Sequence, residues 1–236
     1  MSRSLSAAAQ AQEGIIAYIR QHCLTQGDAL PSEAYLCEEL GFSRTSIREA
    51  MRTLSSLDIV EVRHGHGTYV SKMSLAPMVQ GMILRVILDA ERSLATLDNI
   101  VELRHAIDYS LAEELVDVWK DRDTAPLFTV VDDMRTEHAA GRPFISQDRA
   151  FHRMLLEGIS NPLIIELSDA FWEIHMAVMP KLELHLPEDI SLTIEAHAKM
   201  VRALEARDPD QFRVVVDEHY APLRRTIKRS INQGMD

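Results

Sequence analysis

Residues 40–50 read LGFSRTSIREA, which combines the end of one helix, a tight turn and the start of another helix. Gly41 can end the first helix, because glycine readily adopts the left-handed conformation that follows a helix. Ser43 can cap the second helix by accepting from the free amides of its first turn. Apolar residues then recur at helical spacing to about Leu57. The pattern predicts a helix-turn-helix.

The flanking segments predict one more helix before this motif and a β-hairpin after it. Residues 8–24 carry apolar side chains at helical spacing, and Ser32 is a predicted N-cap of the helix that precedes the turn. Residues 59–63 and 68–70 favour strands on either side of a glycine-rich turn. Three helices and a hairpin predict a winged helix-turn-helix domain over residues 1–71.

Arginines on the second helix of the motif indicate DNA binding. Arg44 and Arg48 lie one turn apart, and arginine can donate two hydrogen bonds to a guanine edge. In a helix-turn-helix this helix enters the major groove, where its amides and small hydroxyls can hold phosphates. Such a row of arginines by itself is more often a solvated face, and the histidines of the hairpin turn can be a loop without a role. The residues predicted to contact DNA are Ser32, Ser43, Arg44, Thr45, Ser46, Arg48, His64, Gly65 and His66.

The charge is divided unequally along the chain. The net charge of −11 disfavours DNA binding, but residues 1–72 hold seven Lys/Arg against eight Asp/Glu, and the remainder holds 18 against 28. A nearly neutral first part can still carry a basic face. No apolar run approaches the roughly 20 residues that span a bilayer, and the first dozen residues do not resemble a secretory signal. We expect a cytoplasmic protein that does not bind membranes.

The second part predicts a helical domain. Residues 72–77 are typical of a short linker, and residues 78–236 show no convincing strand, so the fold class is mostly α. An antiparallel bundle of six or seven helices is the expected architecture. The predicted helices span roughly 77–90, 96–119, 123–140, 144–158, 162–184, 188–206 and 209–232.

Four side chains on three of these helices are candidate metal ligands. Asp148 and His152 are four residues apart and share one helix face, while His197 and His219 lie within the last two helices. Helical bundles build metal sites from inward-facing side chains of this kind. One carboxylate and three imidazoles suit Zn²⁺, Ni²⁺, Co²⁺, Fe²⁺ or Mn²⁺. A surface pair and hydrogen-bonded core histidines are the commoner explanations of this spacing, so the spacing leaves the metal open.

Three segments of the first part resemble the GntR family of bacterial regulators: LPSE at 30–33, LGFSRTSIREA at 40–50 and GHGTYV at 65–70. The resemblance covers about residues 10–71 and implies a winged helix that binds operator DNA. It implies that Arg44 and Arg48 read bases, that Ser43 and Thr45 hold the backbone, and that His64 and Gly65 reach the minor groove. Two positions depart from the pattern: Ala34 replaces a common basic residue that contacts DNA, and Asp58 replaces the usual glycine before the wing.

The second part resembles the FCD sensor domain, which defines the FadR subfamily of GntR regulators. The segment Asp148-Arg-Ala-Phe-His152, the Ser-Asn-Pro-Leu turn at 160–163 and the two late histidines carry the similarity, over about residues 97–228. In metal-binding members one acidic residue and three histidines hold a divalent ion. These positions correspond to Asp148, His152, His197 and His219. The resemblance implies Zn²⁺ first, with Ni²⁺, Mn²⁺, Co²⁺ or Fe²⁺ as alternatives.

An effector-binding residue follows from the same resemblance. Many FCD members sense small carboxylates that bind the metal through an oxygen, and an early arginine assists. Arg104 in the segment VELR fits that position, although Asp108 stands four residues on where glutamate is usual. Arg104 can instead be a structural ion-pair partner of Asp108.

These features predict a homodimeric repressor that binds a near-palindromic operator and leaves it when a small carboxylate or sugar acid binds at the metal. One alternative keeps the regulator but gives it a metal-free cavity for an acyl or acyl-CoA ligand. Another alternative is a metal-dependent hydrolase, because a protein-bound divalent ion can activate water. No acid–base pair with suitable spacing supports the hydrolase, so we expect no enzyme activity.

Overall fold

The computed structural model describes residues 5–89, 92–182, 184 and 189–233, and the chain forms two compact units, Met1–Met78 and Val79–Asp236. The first unit holds three helices and a two-stranded antiparallel hairpin, which confirms the predicted winged helix-turn-helix. Its elements are α1 (Ala7–Gln21), α2 (Glu33–Leu40), α3 (Arg44–Ser56), β1 (Val60–Arg63) and β2 (Gly67–Val70).

Local capping explains why the helices of this unit begin and end where they do. Ser32 accepts from the Tyr35 amide at 3.3 Å, and Ser43 accepts from the Ser46 amide at 3.1 Å, so both act as the predicted N-caps. Gly41 ends α2 in the left-handed conformation, with φ 72°. The first helix ends at Gln21, earlier than predicted, because Cys23 adopts φ 51° and turns the chain.

The core of the unit fixes the recognition helix against the hairpin. Ile15, Leu36 and Ile47 are fully buried, one from each helix. In the hairpin, Val60 pairs with Val70 and both side chains are buried in the same core. Burial of these apolar side chains therefore holds α3 and the wing as one unit.

Asp58 joins the end of α3 to the segment that leaves the wing. Its backbone is left-handed, with φ 54°, which explains why glycine is usual at this position. Its carboxylate accepts from the Ser71 hydroxyl at 2.5 Å, and from the amide of Ser74 at 2.8 Å as well as from the Ser74 hydroxyl. These hydrogen bonds lower the pKa of Asp58, so the aspartate compensates for its backbone strain by anchoring the chain that follows β2.

The second unit is helical throughout its described part, which confirms the predicted bundle. The predicted helix 96–119 is two helices, because Leu111 has ψ −2° and interrupts the helix there. The predicted helix end at residue 90 and the predicted start at residue 188 lie outside the described residues. The elements are α4 (Ala76–Leu88), α5 (Ser93–Ser110), α6 (Ala112–Trp119), α7 (Ala125–Ala139), α8 (Ile145–Leu155), α9 (Pro162–Val178) with a 3₁₀ turn (Met179–Leu182), α10 (Ile190–Glu205) and α11 (Pro209–Gln233).

Side-chain pairs connect neighbouring helices of the bundle. Lys199 on α10 pairs with Glu218 on α11, and α7 pairs with α10 through Arg135 and Glu195. The same arrangement places α5 beside α11 and α8 beside α9. The inner faces of α5, α8, α9, α10 and α11 thus surround one interior region. Within the described residues, no helix combines the length and the apolar character that a membrane span needs.

Candidate metal centre and DNA interface

The four predicted metal ligands lie together inside the bundle. Asp148 and His152 project from adjacent turns of α8, His197 from α10 and His219 from α11. The three histidines are at most 6% exposed, and one ring nitrogen of each lies within 4.8 Å of the others. His197 Nε2 is 3.4 Å from His152 Nε2, and Asp148 Oδ1 is 3.3 Å from His197 Nε2 and 3.9 Å from His152 Nε2. The buried histidine triad with its carboxylate can hold a metal ion.

Burial keeps His152 and His219 in the neutral form that binds metals. Desolvation lowers the pKa of His152 to about 4, against the opposing effect of Asp148. Desolvation and the neighbouring histidines hold the pKa of His219 well below its usual range. Burial alone would raise the pKa of Asp148, but its contact with His197 and the charge of His152 hold it well below the ordinary value. A carboxylate beside neutral imidazoles is the protonation state that metal binding requires.

The donor chemistry of these four residues tests whether they fit a metal. Three imidazoles and one carboxylate match divalent ions such as Zn²⁺. His197 Nε2 faces Asp148 Oδ1 and His152 Nε2, so it is the nitrogen that this ring can offer to an ion. Among the described residues, Nδ1 of His219 is buried without a hydrogen-bond partner, so no hydrogen bond competes for it. The residues present therefore fit a divalent metal.

Side chains from neighbouring helices make supporting contacts around the cluster. Trp172 on α9 donates its indole N–H to Asp148 Oδ2 at 2.6 Å. Asp108 on α5 lies 4.0 Å from His152 Nδ1 and accepts from the Tyr220 hydroxyl at 2.7 Å. Tryptophan at helical spacing is typical of core packing, and the hydrogen bond from Trp172 to Asp148 is a contact that spacing cannot reveal.

The candidate effector residue Arg104 is buried next to the cluster. It is 5% exposed, and its guanidinium carbon lies 5.6 Å from the Tyr220 ring centroid. Arg104 Nη1 donates to His175 Nδ1 at 2.8 Å, so His175 carries its hydrogen on Nε2, which lies 2.9 Å from Met179 Sδ. Burial and the charge of Arg104 lower the pKa of His175 to about 3, which keeps the ring neutral.

Arg104 has no ion-pair partner among the residues that the structure describes. Asp108, the partner suggested by spacing, instead bonds to Tyr220. A cavity of about 70 Å³ lies beside this region, and Asp148, His175 and Met179 are among the residues that line it. A buried cation that has no ion-pair partner among the described residues, and that contacts His175 in the wall of a cavity, is suited to an anionic ligand, because a buried charge is costly unless it is paired.

The candidate DNA interface lies on the first unit. Arg44 and Thr45 are exposed on the first turn of α3, and the side chain of Arg48 is 64% exposed one turn later. Arg48 Nε donates to Glu33 Oε2 at 3.0 Å, so Glu33 at the start of α2 orients this arginine. Ser46 differs from the others because it is buried and its hydroxyl lies 2.9 Å from that of Ser43.

The predicted wing tip is an exposed turn. Gly65 has φ 76°, which glycine adopts without strain, and His66 Nδ1 lies 3.0 Å from the His64 carbonyl oxygen. Arg63 at the end of β1 stacks on Tyr69, with 4.3 Å from its guanidinium carbon to the ring centroid. His64, Gly65 and His66 are thus presented together on one projecting turn.

Comparison with known proteins agrees with both units. The chain matches the family described as "Bacterial regulatory proteins, gntR family" over residues 7–70 and the FCD domain over residues 99–222, which is more than half of its length. The chain belongs to the GntR family of bacterial regulatory proteins. An FCD domain C-terminal to a GntR winged helix is the architecture of the FadR subfamily.

Individual GntR relatives extend over most of the chain. The galactonate operon transcriptional repressor of Escherichia coli (strain K12) is 23% identical over 184 residues, 78% of this chain and 80% of that protein. The repressor NanR of Enterobacter sp. (strain 638) is 26% identical over 209 residues, 88% of this chain and 80% of that protein. The solved structure of Streptococcus agalactiae GntR is 28% identical with a TM-score of 0.65, covering 93% of this chain and 99% of that chain.

Membership in the GntR family settles the class of protein. GntR proteins are transcription regulators that bind DNA operators and sense small-molecule effectors. The winged helix is the DNA-binding domain of this regulator, and the hydrolase alternative loses its support because the family is one of regulators and not of enzymes.

Proposed function

We propose that this regulator is a homodimeric repressor that leaves its operator when a small carboxylate binds beside a metal ion in the FCD domain. The observation that carries the proposal is Arg104, a buried cation without an ion-pair partner among the described residues, next to a four-ligand cluster. A dimer would place two recognition helices on two half-sites of a near-palindromic operator. The DNA-binding domain would comprise residues 1–71, the linker 72–77 and the sensor domain 78–236.

Asp148, His152, His197 and His219 are the proposed metal ligands, and Zn²⁺ is the first candidate ion. Ni²⁺, Mn²⁺, Co²⁺ and Fe²⁺ remain chemically compatible with one oxygen and three nitrogen donors. When bound, the ion would supply positive charge and, where it accepts more than the four protein ligands, a position for a carboxylate oxygen. The chain itself supplies neutral imidazoles at His152 and His219, an ionised Asp148 and a buried interior that strengthens these interactions.

The proposed effector is a small carboxylate, with sugar acids as the first class to test. Arg104 offers N–H groups in the planar geometry that suits a carboxylate. His175 accepts one N–H of Arg104 and so fixes how the guanidinium is oriented. One relative is named for a galactonate operon, and galactonate is a sugar acid with one carboxylate and several hydroxyls.

The size of the cavity favours a small effector over an acyl chain. Pockets that hold drug-sized ligands are roughly 300–1,000 Å³. The cavity beside Asp148 and His175 is about 70 Å³, far below that range. A metal-free cavity for an acyl or acyl-CoA ligand would also not explain why ring nitrogens of His197 and His219 cluster in the interior.

The test is a thermal-shift panel of small organic and sugar acids on metal-loaded protein, followed by operator binding with each stabilising acid. A true effector at 100 times its Kd is expected to stabilise the protein by about 2.7 kcal/mol and to release the operator. The same acids are expected to have no effect on protein stripped of metal. Full stabilisation by an acid in the stripped protein, or stoichiometric retention of an acyl ligand, would contradict the proposal.

We propose that Arg48 contacts a base of the operator, and its replacement by alanine tests this role. We expect Arg48→Ala to weaken operator binding by about 1–3 kcal/mol and to relax specificity at one base position, because a bidentate contact to guanine is lost. The measurement is the Kd for a selected operator and for the set of its single-base variants.

Arg48→Lys is the matched control for this prediction. Lysine keeps the charge but lacks the planar fork that contacts two acceptors of a base. If Arg48 reads a base, the lysine variant loses discrimination nearly as the alanine variant does. Restoration of affinity and specificity by lysine would assign Arg48 to a phosphate contact instead.

A further inference from the structure

We propose that Trp172 is a positioning residue of the metal centre, whose indole N–H holds one oxygen of Asp148 so that only the other oxygen faces the ion. The inference rests on the metal-binding function proposed above. It adds a residue from α9, a helix that supplies none of the four proposed ligands, to the machinery of the site.

The geometry around Asp148 divides the roles of its two oxygens. Oδ2 accepts from Trp172 Nε1 at 2.6 Å, a short hydrogen bond of the kind that ionised acceptors form. Oδ1 lies 3.3 Å from His197 Nε2 and 3.9 Å from His152 Nε2, so it faces the histidine cluster. Oδ2 is therefore hydrogen-bonded to Trp172 of α9, and Oδ1 faces the proposed position of the ion.

The indole is itself held in place from the surface side. Arg149 lies over the ring, with 5.1 Å from its guanidinium carbon to the ring centroid. The same guanidinium donates to both oxygens of Asp169, at 2.8 and 2.9 Å. Trp172 is 6% exposed between this ion pair and Asp148, so its N–H has little freedom to turn away.

A fixed carboxylate matters because Asp148 is the one oxygen ligand of the proposed set. A carboxylate can bind a metal through one oxygen or through both. A hydrogen bond on Oδ2 favours binding through Oδ1 alone, which leaves coordination positions for the effector. Loss of hydrogen bonds that orient a ligand typically weakens metal affinity about 10–100-fold.

The two tryptophans of the chain provide a matched comparison. Trp119 on α6 is also 6% exposed, and it donates its indole N–H to the Leu155 carbonyl at 2.9 Å. Trp119→Phe and Trp172→Phe thus remove the same group and the same volume from the same bundle. Only Trp172→Phe removes a hydrogen bond to a proposed ligand.

The experiment titrates chelator-treated full-length protein with Zn²⁺ in competition with a chromophoric chelator, and with Co²⁺ by visible absorption. We expect Trp172→Phe to lower metal affinity about 10–100-fold and to change the Co²⁺ spectrum, while Trp119→Phe matches the wild type. Equal losses in both variants, or affinity and spectrum unchanged in Trp172→Phe, would overturn the inference. Failure of the wild type to bind stoichiometric metal would instead overturn the proposed function.

A second measurement does not depend on whether the Trp172→Phe protein folds. In Trp119→Phe protein, Trp172 is the remaining tryptophan, so its emission reports on the indole that bonds to Asp148. Saturation with Zn²⁺ is expected to shift this emission, because a divalent cation then lies beside the carboxylate to which the indole is bonded. An emission unchanged at full metal occupancy would also overturn the role of Trp172.

Discussion

His197→Ala and His219→Ala proteins are expected to bind no stoichiometric divalent metal and to remain on the operator when the effector is added. Each substitution removes one of three imidazoles from a cluster whose ring nitrogens lie within 4.8 Å of each other. The loss should exceed the roughly 10–100-fold effect of removing a residue that merely orients a ligand. The response to the effector should disappear with the metal, because the carboxylate of the effector then loses the ion and retains only its proposed contact with Arg104.

Metal content after dialysis, and operator release in an effector titration, measure these effects. His197 is fully buried, so His197→Gln serves as a second variant that retains a polar side chain of similar length. His138→Ala is the matched control, because His138 is an exposed histidine on α7 of the same domain. Stoichiometric metal in both His197 variants would show that the cluster is not the metal site.

The stability of the metal-free protein provides an independent check on the same residues. In the wild type, buried nitrogens of His197 and His219 are without partners among the described residues, so the cluster contributes little stability without an ion. Saturating metal should raise the free energy of unfolding of the wild type and leave that of His219→Ala unchanged. The difference between the two proteins should therefore increase when metal is added, beyond the cost of the cavity that His219→Ala leaves in the metal-free protein.

The winged helix could be predicted from the sequence because its signals are local. Ser32, Gly41 and Ser43 act on backbone groups within a few residues of themselves, and each has the predicted capping role. The break at Leu111 was missed because no proline or glycine marks it. The left-handed Cys23 that ends the first helix likewise carries no sequence signal.

The members of the cluster of Asp148 and three histidines could be predicted from the sequence, but its geometry could not. The spacing of Asp148 and His152 fixes one helix face, whereas the approach of His197 and His219 depends on how three helices pack. The resemblance to the FCD domain supplied that information, and spacing did not. The role of Trp172 could not be predicted, because it depends on a hydrogen bond between α9 and α8. Sequence spacing alone cannot distinguish a tryptophan that makes such a bond from one that only packs in the core.

Replacing Arg104 by Met is expected to abolish the effector response without destabilising the effector-free protein. The guanidinium is 5% exposed and has no ion-pair partner among the described residues, so its burial is unfavourable until a carboxylate arrives. Truncating one partner of a buried charged contact typically costs about 2–5 kcal/mol of binding free energy. We expect effector affinity to fall by that amount, while metal affinity stays at the wild-type value.

Thermal denaturation without effector and calorimetric titration with effector separate the two possible roles of Arg104. An unfolding free energy that is unchanged or higher in Arg104→Met indicates that the arginine is kept for binding, because relief of the unpaired buried charge then offsets the hydrogen bond lost to His175. Arg104→Lys tests geometry, because lysine retains the charge but cannot donate to a carboxylate and to His175 in the same planar arrangement. A large loss of stability in Arg104→Met with effector affinity intact would make Arg104 a structural residue, held by His175 and the Tyr220 ring, and would move the effector site away from it.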